Sequence, residues 1–141
     1  MKNSSFDAFC EKIISLDKSI RFVGLANKSG VMIASAYRNG LTPLMTREET
    51  SQYAIQAVTR AMLREDFTTK LGRIDYSITK YLRLIRALVP FEYENNRLFV
   101  LLSFDVGSNP VQVIENKLIS YMRNHSWSLI QIPLFDRNLR P

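Results

Sequence analysis

The run Leu98-Phe99-Val100-Leu101-Leu102-Ser103-Phe104 constrains the fold more than any other feature. It is strand-length, far short of the roughly 18 apolar residues a membrane span requires. Apart from Ser103 it has no polar face, so both its faces must be covered. That predicts a central strand in a sheet flanked by helices, an α/β (α+β) domain.

The rest of the chain supplies the cover. Phe6, Phe9, Cys10, Ile13 and Ile14 recur at helical spacing, predicting a first helix over 5–17 with Asp7, Glu11 and Lys12 facing out. Two short runs follow, 20–26 and 31–37, separated by Asn27-Lys28-Ser29-Gly30. Asn and Gly tolerate the left-handed backbone of a tight turn, so these runs predict a β-hairpin. Gly24, Ala26, Ala34 and Ala36 are small residues within it. They fit either close helix packing or room for a ligand, with Tyr37 or Tyr53 as its polar contact.

Thr46-Arg47-Glu48-Glu49 has the spacing of a capping box. It predicts a long helix over 47–67, whose main stripe, Tyr53, Ala54, Ala57, Val58 and Ala61, is rich in alanine. Beyond Leu71-Gly72, residues 73–79 alternate strictly, with Ile74, Tyr76 and Ile78 on one face, as a half-exposed strand does. A further strand is expected over 81–89, ended or placed at an edge by Pro90, with a polar turn at 92–96 before the central run. Ser108 or Asn109 can cap a last helix, with Pro110 near its first position and Val111, Ile114, Leu118, Tyr121 and Met122 as its apolar face. The expected division is a domain over 1–125 and a tail over 126–141. That tail, with Trp127, Leu129, Ile130, Ile132, Leu134 and Phe135, is too apolar for a free end and is expected to dock on the domain or a partner.

Several chemistries find no support. One cysteine, Cys10, allows neither an internal disulfide nor a cysteine metal cluster within one chain, and its place on the apolar stripe predicts a buried structural thiol. The one histidine, His125, lies far from Cys10 in sequence, so no catalytic residues are assigned. No Gly-rich phosphate loop is present, and no cofactor or metal is expected. The N-terminal stretch lacks the apolar core of a signal peptide and no span is found, so a cytoplasmic location is expected. The net charge of +6 permits an anionic partner without choosing one.

The predicted order, α-β-β-α-β-β-β-α, resembles that of the roadblock family of dynein light chains and prokaryotic GTPase regulators. Phe22-Val23-Gly24-Leu25-Ala26-Asn27-Lys28-Ser29-Gly30-Val31-Met32-Ile33-Ala34-Ser35 is similar to that family's first hairpin, and Leu98-Phe99-Val100-Leu101-Leu102-Ser103 to its fifth strand. The likeness spans about Phe6 to Arg123. It implies a five-stranded, mostly antiparallel sheet of roadblock or profilin-like type. It also implies a non-enzymatic homodimer built from the long middle helix and the third strand, serving as regulator or scaffold for a small GTPase or another protein. The residues matching that dimer are Tyr53, Ala54, Ala57, Val58 and Ala61 with Ile74, Tyr76 and Ile78. Two other functions stay open. A sensory domain of PAS or GAF type shares this layout and would bind a small molecule between sheet and helices. A nucleic-acid or anionic-surface binder would use Arg60, Arg64, Arg73, Arg83 and Arg86, although no DNA-binding motif supports it.

Overall fold

The computed structural model describes residues 4–124 and 130–131. Helix α1 (Ser4–Ile14) leads into the hairpin β1 (Ile20–Asn27) and β2 (Met32–Tyr37). Helix α2 (Arg47–Arg64) continues through a 3-10 turn (Glu65–Phe67) into the short α3 (Thr68–Leu71). Strands β3 (Ser77–Lys80), β4 (Ile85–Tyr93) and β5 (Asn96–Phe104) follow. The last helical segment joins α4 (Pro110–Val113), a π-helical turn (Ile114–Leu118) and α5 (Ile119–Asn124). The two-residue β6 (Ile130–Gln131) pairs with the far end of β4.

The five main strands run in the order β2-β1-β5-β4-β3, each antiparallel to its neighbour. The apolar run lies at the centre, as its composition requires. Its alternate residues serve two cores. Leu98, Val100, Leu102 and Phe104 join Phe9, Cys10 and Ile13 of α1 and Ile114, Leu118 and Met122 of the last segment. Phe99 and Leu101 face the other way, with Ala26 and Leu88, under Ala54, Ala57, Val58 and Ala61 of α2. The sheet is thus sandwiched between α1 with α4–α5 on one face and α2 on the other.

Local chemistry fixes the connections. In the first hairpin, Asn27 Oδ1 accepts from the amides of Ser29 (2.9 Å) and Val31 (3.1 Å), and Gly30 takes φ +82°. A Cβ on Gly30 would lie 2.6 Å from Ile55 Cα, so this glycine also lets α2 approach the turn. The capping box forms as expected: Thr46 Oγ1 accepts from Glu49 N at 3.1 Å, and Glu49 Oε1 accepts from Thr46 N at 2.8 Å. Asn109 caps α4 by accepting from Gln112 N at 3.2 Å. Glu94 and Asn95 both take positive φ in the two-residue β4–β5 turn, as a type I′ hairpin demands.

Three expectations shift. The paired part of the strand expected over 73–79 is confined to Ser77–Lys80, because β3 meets β4 only from Ile85 to Leu88. Residues 81–84 are a turn rather than strand, closed by Tyr81 N donating to Leu84 O at 2.8 Å. Pro90 does not end β4, which runs on to Tyr93. The proline is accommodated because it pairs with Phe99 of β5 on one side, while β3 stops short of it and β6 begins beyond it. Of the apolar tail, Trp127, Leu129, Ile132, Leu134 and Phe135 lie outside the described residues, as does His125.

Candidate interaction surface

Helix α2 divides the expected interface residues between two environments. Ala54, Ala57, Val58 and Ala61 are buried against the sheet of their own chain, and Tyr53 packs at the border of that cluster. The alanine-rich stripe is therefore the helix's inner face. What α2 offers outward is a second stripe at i, i+3, i+4 and i+7: Arg60, Leu63, Arg64 and Phe67, the last in the following 3-10 turn. Leu63 is 61% exposed and Phe67 65%. Ile55 and Met62, also exposed, lie on the flank toward the first hairpin. The outward stripe escaped the sequence reading because two of its four members are arginines, which hide an apolar periodicity. The signal was the spacing itself.

The third-strand residues are likewise split. Tyr76 and Ile78 pack partly buried against the main core, and the Tyr76 hydroxyl donates to Glu115 of the π-helical turn. That bond to a carboxylate raises the Tyr76 pKa. Ile74 precedes the paired segment and is half-buried. Strand β3 pairs with β4 on one side, and no strand pairs with its other edge among the described residues. A free edge carries unpaired amides and carbonyls ready to accept another strand.

The five arginines expected at an anionic surface do not all reach solvent. Arg60 and Arg64 are exposed on α2, and Arg83 is exposed in the β3–β4 turn. Arg73 is engaged by Asp75 at 3.5 Å. Arg86 is interior, 8% exposed, with its guanidinium 3.7 Å from the Tyr53 ring centroid. Burial raises the Tyr53 pKa, opposed by the charge of Arg86. Arg86 thus leaves the exposed set, since a side chain so enclosed cannot meet a phosphate backbone.

The small hairpin residues are used in packing. Ala34 and Ala36 belong to the core beneath α1, and Ala26 to the core beneath α2. A Cβ on Gly24 would stand 2.5 Å from Met32 Sδ. A cleft of about 720 Å³ does exist, at the end of the sheet where the β1–β2 and β4–β5 turns meet the start of α1 and the end of α2. Its lining includes Lys28, Glu65, Glu92 and Arg97 but none of Gly24, Ala26, Ala34, Ala36, Tyr37 or Tyr53. Arg97 there bridges Glu65 and Glu92.

Cys10 is fully buried, and desolvation pushes its thiol up to about 12, so it is no nucleophile in the folded state. Among the described residues, no group of His, Cys, Asp and Glu could hold a metal ion, and no helix is long and apolar enough to cross a membrane.

No family model and no curated protein sequence matches the chain. Solved structures do. The gliding protein MglB of Thermus thermophilus superposes with a TM-score of 0.59 at 14% identity, covering 75% of each chain. An MglB in a tetrameric arrangement gives 0.60 at 15% identity, covering 75% of this chain and 74% of that one. A Roadblock/LC7 domain from Streptomyces avermitilis gives 0.62 at 6% identity, covering 83% and 93%. Superposition over three quarters or more of the chain at such low identity establishes the architecture alone, and the chain has the fold of a roadblock-type domain.

Proposed function

We propose that this chain is a non-enzymatic regulatory module that self-associates as a homodimer and, as a dimer, holds a partner protein of the small-GTPase class. The observation that carries the reading is the exposed stripe on which Leu63 and Phe67 alternate with Arg60 and Arg64, on the outer side of the helix whose inner side is buried on the sheet. Large apolar side chains flanked by arginines are the composition of interface centres. The free edge of β3 adds a second element able to pair with its twin around a two-fold axis. In this arrangement Ala54, Ala57, Val58 and Ala61 seat α2 on the sheet, and the outward residues meet the second copy. The tetrameric arrangement of the similar MglB supports self-association of this fold. The GTPase comes from the roadblock resemblance alone.

The test is a paired substitution, Leu63→Glu with Phe67→Glu. Both side chains are exposed in the single chain, so circular dichroism should be unchanged while the scattering mass falls from dimer to monomer. An unaltered mass would remove α2 from the interface.

A further inference from the structure

The described chain comes to its end beside the outward stripe of α2. That stripe belongs to one flank of the helix. Ile55 meets the first hairpin at Gly30, while Tyr53, two residues earlier and so on the other side of the helix, stacks on Arg86 of β4. Arg60, Arg64 and Phe67 follow Tyr53 at i+7, i+11 and i+14, which returns each to the Tyr53 flank. The flank overlooks β4 and β3, because the sheet order puts the first hairpin on the opposite side. Along the helix axis, Arg97 fixes the far end by bridging Glu65, at the start of the 3-10 turn, to Glu92 of β4. Phe67 stands two residues beyond Glu65, and Leu71, 83% exposed, ends α3 one turn later.

Strand β6 lies on the outer edge of that same stretch of β4, with Gln131 opposite Glu92 and Ile130 opposite Tyr93. The ladder has no bond to gain beyond it. Tyr93 and Asn96 flank the two-residue turn as a hydrogen-bonded pair, so Glu92 and Pro90 turn their backbone polar groups outward, toward β6 and β3. Continued in register, Pro133 would fall opposite Pro90, and neither proline has an N–H to donate. The chain thus has reason to leave the edge just past Gln131, where Ile132, Pro133, Leu134 and Phe135 come next. Gln131 is one strand spacing, about 4.8 Å, from Glu92. Extended, residues 132–135 reach about 13 Å at about 3.3 Å each.

We propose that Ile132, Leu134 and Phe135 pass from β6 onto Leu63, Phe67 and Leu71 of the same chain, so that the tail and a second copy compete for one surface. The occupant is the chain's own tail because its own Gln131 stands at the patch. Both sets of side chains are large and apolar, and each removes the other from water. The competition rests on the homodimer reading above; the docking does not.

Thiol labelling of the full chain tests the docking. Leu71→Cys places a thiol on the patch and leaves Leu63 and Phe67 in place, while the buried Cys10 gauges unfolding. At low micromolar concentration, where the rate no longer depends on protein concentration, adding Leu134→Ser with Phe135→Ser should speed labelling at position 71 several-fold. Should Cys10 label as well, the variant has unfolded and Phe135→Ala carries the comparison. Sedimentation equilibrium tests the competition. The two tail substitutions alone should tighten the dimer several-fold, since a surface free for only part of the time binds with reduced apparent affinity. Faster labelling with unchanged dimer affinity would keep the docking and overturn the competition. Faster labelling with a monomer in every sample would keep the docking and remove the dimer. Equal labelling rates with and without the tail substitutions would overturn the docking itself.

Discussion

Gly30→Ala is the sharpest probe of how α2 is seated. Two costs add at this position. The native φ of +82° lies in the left-handed region, where a Cβ costs about 1–2 kcal/mol. The added Cβ would also stand 2.6 Å from Ile55 Cα, a backbone atom that cannot swing aside as a side-chain tip can. Relief requires the turn or the helix to move, a cost of about 1–3 kcal/mol by comparison with overpacked cores. The sum, about 2–5 kcal/mol, is a large share of the 5–15 kcal/mol typical of a domain. Gly40→Ala is the control: its φ is +76°, but nothing lies within 4 Å of the new Cβ, so only the backbone cost applies. Urea unfolding of both variants separates the two contributions. If Gly30→Ala loses no more stability than Gly40→Ala, the close approach of α2 to the first hairpin is wrong.

Thr46→Ala removes one half of the capping box and should cost about 1 kcal/mol in urea unfolding; an unchanged midpoint would deny the box a role. Asp17 is held down at about 2, first by its hydrogen bond from Lys117 and then by Ser19. Its contribution is therefore present above the unfolded value near 3.8 and is lost as pH falls through about 2. Asp17→Asn should lower stability at pH 6 and flatten that acid limb in a Tm-against-pH series, whereas parallel curves for the two proteins would contradict the pairing. Cys10 should resist a thiol reagent at pH 8 while folded and react fully in denaturant; rapid native labelling would mean that α1 opens.

The parts of the fold legible in the sequence are those set by local chemistry or by one strong period. The capping box, the Asn27–Gly30 turn, the Asn109-Pro110 helix start and the apolar central strand all act within a few residues. The order of elements followed from them. The β3–β4 region was harder, because alternation in 73–79 and 81–89 says which faces are apolar but not where the ladder begins. That start is set by the turn at 81–84, which leaves Leu82 exposed, and a propensity argument would not place a leucine there. On α2, apolar spacing located the stripe but could not distinguish a face meeting the sheet from one meeting another molecule. Both are apolar and helical in period. The sheet took the alanines, and the outward stripe was masked by its arginines. Arg86 was misplaced for a related reason: a cation in a strand reads as surface unless the covering loop and the Tyr53 ring above it are known.

The central claim, self-association through α2 and the β3 edge, is tested most directly by sedimentation equilibrium of the intact chain across a dilution series from high to low micromolar. The account predicts a mass of twice 16.3 kDa at the upper end, falling toward 16.3 kDa only on dilution. A mass of 16.3 kDa at every concentration would contradict it.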